Sequence, residues 1–181
     1  MKVDNKEKVL KIIFAEPNKS FHIRLLGRLT KLHPNTIIKI TDELVKEGYI
    51  TKEHDKETKF SIINANSANR MYKLRKQYMN IRALYESGFI DFLNEQYAYP
   101  VIILFGSYAK AENTKKSDID LFIISDIKKK ADITSFEVKL DAEIQLFIHT
   151  KEEFQKLKKT NPELINNVLN GVKVEGYIEV V

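Results

Sequence analysis

The chain has 181 residues, 43% hydrophobic and 30% charged, with a formal net charge of +5. It is long enough for one large or two small domains with real cores, and too apolar for a disordered chain. The absence of cysteine excludes disulfides and thiolate zinc sites. No apolar run reaches the ~18–20 residues of a bilayer span, and the first ten residues lack the apolar core of a secretory signal. A cytoplasmic protein with no membrane partner is the simplest expectation. The charge is uneven, with residues 1–85 net basic and the remainder mildly acidic, which suggests two modules with different partners.

In chain order, Asp4 or Asn5 caps a first helix with Val9, Leu10, Ile12 and Ile13 at helical spacing, and Glu16-Pro17 stops it. A second helix follows Ser20, over Ile23 to Leu29. A third opens with Pro34 at its first position, buries Ile37, Ile38, Ile40, Leu44 and Val45, and ends at Gly48. Tyr49–Glu53 and Lys59–Ile63 read as two strands joined by a polar turn that includes Lys56.

Three short helices and a hairpin, and above all the segment LVKEGYITKE, resemble winged helix-turn-helix regulators over residues 1–65. The resemblance implies a third helix laid in the major groove of double-stranded DNA, with Asn35, Thr36 and Lys39 near bases and Lys52 and Lys56 near phosphates. Such proteins commonly dimerise on palindromic sites, so a homodimer is compatible with it. The same fold also serves as an interaction module.

Residues 66–96 read as a helical connector. A long helix has Met71, Leu74, Tyr78, Ile81, Leu84 and Tyr85 as its apolar stripe and a basic opposite face; Gly88 breaks it before a second short helix. The remainder, 97–181, reads as an α/β (α+β) domain with a mixed sheet flanked by helices. Val101–Phe105 is a buried strand, and Gly106-Ser107 follow at once. A polar spacer then leads to a second strand that begins at Asp118-Ile119-Asp120. Residues i and i+2 of a strand point the same way, so the two carboxylates project together and repel unless a cation lies between them. Gly106 lets the backbone turn sharply and approach a phosphate, and Ser107 adds a hydroxyl donor.

FGSYAKAENTKKSDIDLFII is similar almost throughout to the signature of the DNA polymerase beta superfamily of nucleotidyltransferases, most closely its minimal members. The resemblance implies Mg²⁺ (or Mn²⁺) held by Asp118 and Asp120, and ATP or another NTP bound at Gly106 and Ser107. It also implies transfer of NMP to a hydroxyl on a protein, nucleic acid or small molecule. The superfamily's catalytic members place a third carboxylate on a later strand. Here that strand offers Glu143 and Gln145 on one face. Glu143 beside the aspartates completes a catalytic triad, whereas Gln145 there leaves an amide, and the alternative function becomes a transcriptional regulator that binds nucleotide without catalysis. One sequence does not choose between the two registers.

Overall fold

The structure is a computed structural model that describes residues 4–54 and 61–178. It divides into two compact units, Met1–Lys76 and Gln77–Val181.

The first unit contains α1 (Asn5–Ala15), β1 (Phe21–His22), α2 (Ile23–Thr30), α3 (Pro34–Lys46), β2 (Ile50–His54) and β3 (Ser61–Ala65). Asp4 caps α1 by accepting from the Lys6 N–H. His33 caps α3 through Nδ1, with Pro34 at the first turn. The three strands form an antiparallel sheet of order β1-β3-β2, in which Phe21 opposes Ile63 and Ile50 opposes Ala65. Leu10, Ile13, Leu26, Ile37, Leu44 and Ile63 are buried. Ile38 and Val45, expected inside, lie at 39% and 38% exposure; Thr41 is buried in their stead. The helix turns about 100° per residue, so a stripe set by Ile37, Thr41 and Leu44 leaves both neighbours on the rim.

The division between the units falls within α4 (Arg70–Glu86). Its expected stripe is corrected: Met71, Leu74, Tyr78 and Tyr85 are exposed, whereas Tyr72, Lys76 and Met79 are buried, with Leu84 inside as expected. The Tyr72 ring meets Phe14 of α1 edge-on at 4.8 Å, which selects the i, i+4, i+7 row one residue round from the one that hydropathy alone favours. Lys76 joins that row on its long aliphatic stem.

The second unit continues with α5 (Phe89–Tyr97), β4 (Val101–Phe105), α6 (Gly106–Ala109), β5 (Ile119–Ile124), α7 (Thr134–Leu140) and β6 (Ile144–His149). It closes with α8 (Lys151–Thr160), α9 (Pro162–Leu169) and β7 (Val172–Glu175). The mixed sheet has order β6-β5-β4-β7; β5 and β6 are parallel, and the other two pairings antiparallel. Thr150 and Glu153 form a reciprocal capping box at the start of α8, and Asn161 caps α9 ahead of Pro162.

Both faces of this sheet are packed, which is why β4 and β5 are almost wholly apolar. One face carries Ile102, Leu104, Leu121 and Ile123 against α5 and α7. The other carries Ile103, Phe105, Phe122 and Ile124 against Phe154 of α8 and Ile165 of α9. His149 is part of that second face, its ring stacked 5.0 Å from Phe122. The even-numbered residues of β5 belong to this face, and the apolar row stops where Asp120 begins.

Among the described residues no helix is long and apolar enough to cross a membrane.

Candidate active site

β4 delivers Phe105 into the core and then must turn at once. Gly106 makes that turn with φ +67°, a conformation that costs a residue with Cβ roughly 1–2 kcal/mol. Space demands glycine as well, because a Cβ here would lie 2.3 Å from Oδ2 of Asp120. Gly106 and Asp120 are therefore fitted to each other, across the β4–β5 pair in which Phe105 opposes Asp120. Ser107 follows in the single turn of α6, and its carbonyl accepts from the N–H groups of Glu112 (2.9 Å) and Asn113 (3.2 Å), which folds the start of the spacer back on itself.

Asp118 lies just before β5 and Asp120 is its second residue. Burial first, and the like charge of Asp118 second, raise the Asp120 carboxyl above its ordinary value. The repulsion anticipated from the i, i+2 spacing is thus present in the fold.

In the parallel pairing of β5 with β6, Asp120 faces Gln145. The Gln145 side chain reaches along that face, and its Nε2 donates to Oδ2 of Asp118 at 2.7 Å. Glu143 precedes β6; its carbonyl accepts from the Ile119 N–H at 2.8 Å, while its exposed side chain lines an open groove of about 540 Å³ shared with Lys115, Lys116, Asp118 and Asp141. The side chain hydrogen-bonded to Asp118 is thus the amide. Among the described residues no three Asp, Glu, His or Cys side chains converge to hold a metal ion. Two carboxylates with an amide beside them still suit Mg²⁺, which takes oxygen ligands and commonly uses one or two carboxylates, water and substrate phosphates.

Lys110, in the spacer, donates from Nζ to Oδ1 of Asn167 at 3.2 Å, and Lys115 and Lys116 are exposed. Three side chains that the sequence reading passed over also converge here. From α4, Gln77 Nε2 donates to the Ala109 carbonyl at 2.6 Å, and Asn80 Nδ2 to the Tyr108 carbonyl and to Oδ1 of buried Asn113, both at 2.9 Å. Burial raises the Tyr108 hydroxyl above its ordinary value; a hydrogen bond with Asn113 opposes this, and the charges of Asp141 and Asp118 add to it. Amides on a polar helix face look solvated in a sequence, so no local signal marked them.

The other candidate residues lie in the first unit. Asn35, in the first turn of α3, and Lys39, in the second, are exposed; Thr36 is partly buried. Lys52 on β2 is ion-paired at 2.7 Å with Oδ1 of Asp42 on α3. Lys56 lies outside the described residues.

Comparison with known proteins bears on the second unit. The family described as polymerase beta, nucleotidyltransferase matches residues 88–174. A Methanocaldococcus jannaschii homologue named protein adenylyltransferase is 34% identical over 91 residues, 48% of this chain and 89% of that protein. The matched span contains the glycine turn, the aspartate pair and the amide-bearing strand, and on that ground the chain belongs to the polymerase beta nucleotidyltransferase family.

Proposed function

We propose that the protein is a divalent-metal-dependent nucleotidyltransferase that takes an NTP, with ATP favoured, and transfers its NMP to a hydroxyl acceptor. The observation that carries this reading is the fitted pair of Gly106 and Asp120: a left-handed glycine whose missing Cβ leaves room for a carboxylate oxygen. That fit sets the turn beside Asp120, with Asp118 two residues earlier, and supports a phosphate site there. Asp118 and Asp120 would hold Mg²⁺, which would supply positive charge to offset that of the departing pyrophosphate. Gly106 and Ser107 would bind the phosphates from the protein side, and Gln145 fixes the Asp118 carboxylate. In transfer the acceptor oxygen bonds to the α-phosphorus, the bond to pyrophosphate breaks, and the hydroxyl proton leaves to solvent. The homologue's name supports a protein as the acceptor.

Glu143 remains a candidate base or third ligand only if its side chain swings from the groove toward Asp118. The amide beside Asp118 favours a second reading, in which the domain binds Mg-nucleotide and reports it without transfer.

Residues 1–65 are proposed as a winged helix-turn-helix that binds double-stranded DNA, with 66–96 as connector and 97–181 as transfer domain. The order helix, strand, two helices and hairpin supports this, as does the exposure of Asn35 and Lys39 at the start of α3. Lys56 is retained as a phosphate contact; Lys52 contributes only if it leaves Asp42. A regulator of its own transcription, present as monomer or homodimer in the cytoplasm, is consistent with that arrangement.

Incubation with Mg²⁺ and α-labelled ATP, alone and with cell extract, tests the assignment. Label transferred to a macromolecule supports the enzyme, and nucleotide binding without transfer supports the sensor. Failure to bind nucleotide at all contradicts both. A salt-sensitive shift of duplex DNA tests the first unit, because phosphate contacts weaken steeply with salt.

A further inference from the structure

The turn that carries Ser107 is too short to hold itself. α6 spans only Gly106–Ala109, and one isolated turn fixes several dihedrals for very few hydrogen bonds. Its last carbonyls belong to the group that a helix C-terminus leaves short of donors; the Tyr108 carbonyl accepts from the Ala111 N–H at a long 3.3 Å, and stronger donors must come from elsewhere. Those donors come from α4. Gln77 and Asn80 are three residues apart, so they share a helix face, and their amides donate to the carbonyls of Ala109 (2.6 Å) and Tyr108 (2.9 Å). Asn80 also donates to Oδ1 of Asn113 at 2.9 Å, and Asn113 in turn hydrogen-bonds with the Tyr108 side chain. The Asn113 N–H closes back on the Ser107 carbonyl at 3.2 Å.

We infer that Gln77 and Asn80 are positioning residues for the nucleotide: a two-amide clamp that holds the Gly106–Ala109 turn, and hence Ser107, at a fixed distance from the aspartate pair. The inference rests on the nucleotide-binding reading given above. Neither residue touches the reacting atoms. Each acts through the backbone of α6, whose last turn loosens when these side-chain donors are removed. Loss of such a donor from a part-buried carbonyl costs enough to weaken by about tenfold any equilibrium that needs the clamped geometry.

The test is equilibrium binding of Mg-ATP to the full chain, with the melting temperature of each variant measured alongside. Asn80→Asp and Gln77→Glu keep shape, remove the N–H donor and set a carboxylate against a carbonyl. Both are expected to raise the Kd for Mg-ATP about tenfold at temperatures well below their melting points. Gln77→Lys retains a donor on a similar stem and is expected to stay within a factor of about two to three of the wild type, since hydrogen bonds to a charged donor are at least as strong. Should Asn80→Asp fail to fold, the Gln77 pair alone decides. Unchanged Kd in the folded acidic variants, with only the melting temperature lowered, overturns the clamp while leaving nucleotide binding intact. Equal weakening in Gln77→Lys and Gln77→Glu overturns it too. A wild-type protein that binds no Mg-ATP removes the nucleotide site, and the clamp with it.

Discussion

The two units hold their candidate residues in opposite ways. In the second, Gly106, Asp118, Asp120 and Gln145 are placed by backbone conformation, strand register and one hydrogen bond of 2.7 Å between Gln145 and Asp118. In the first, Asn35 and Lys39 are exposed, and Lys52 is already paired with Asp42. The difference is the one that the two proposed functions would require. Chemistry at one phosphorus would need atoms held to within about half an ångström, and the fitted glycine and the strand register supply such fixed positions. A long charged duplex can be met by mobile side chains whose contacts are individually weak.

Substitutions sharpen that contrast, and the strongest is Gly106→Ala. A Cβ aimed at Asp120 Oδ2 from a left-handed backbone should displace the carboxylate, weaken Mg-ATP binding roughly a hundredfold and destabilise the unit by about 1–3 kcal/mol. Calorimetric titration and thermal melting check both numbers.

Gln145→Glu comes next. It exchanges the donor on Asp118 for a third negative charge, so the metal-free protein should lose about 0.5–1 kcal/mol, the scale of exposed charge pairs. Added Mg²⁺ should raise its melting temperature by more than it raises that of the wild type. An equal Mg²⁺ response in the two proteins would show that position 145 does not face the metal.

Asp120→Asn reads the repulsion through pH. The folded-state carboxyl is raised above 3.8 by burial and by Asp118. Its stabilising contribution is therefore complete below that value and disappears as pH rises through the folded pKa. At pH 7 the metal-free wild type carries the cost of an ionised, repelled carboxylate and the asparagine variant does not. The variant should melt higher at neutral pH, lose that advantage below about pH 4, and bind Mg-ATP poorly throughout.

The smallest effects belong to the first unit. If it binds duplex DNA, Lys39→Ala should lower affinity severalfold and relax sequence preference, as loss of a contact near base edges does. Lys52→Ala should do much less, because the Asp42 carboxylate already occupies that ammonium; its folding cost should stay within about 0.2–1 kcal/mol. Competition measurements at two salt concentrations distinguish the two lysines, and equal losses would mean that Lys52 leaves Asp42 on binding.

How much of this was legible in the sequence follows the same divide. The apolar run at Val101–Phe105, the immediate glycine and the Asp-x-Asp pair determine local geometry almost alone, since alternation along a strand fixes which face each side chain takes. Pro34 and Asn161-Pro162 likewise set helix starts that the structure keeps. Which of Glu143 and Gln145 meets the aspartates depended on a parallel register between strands separated by α7, and no short-range pattern encodes that. The α4 stripe was misjudged by one residue because Tyr72 and Lys76 bury long stems that a hydropathy pattern counts as polar. Gln77 and Asn80 were invisible for the opposite reason: their partners are backbone carbonyls more than 25 residues away.

The central claim is that Asp118 and Asp120 hold the metal of a Mg-nucleotide at the Gly106-Ser107 turn. Titration of ATP into the full chain, with and without Mg²⁺, against the double variant Asp118→Asn with Asp120→Asn, tests it most directly. Binding to the wild type should require Mg²⁺ and be abolished in a double variant that remains folded. Mg²⁺-dependent binding of unchanged affinity in that variant would contradict it.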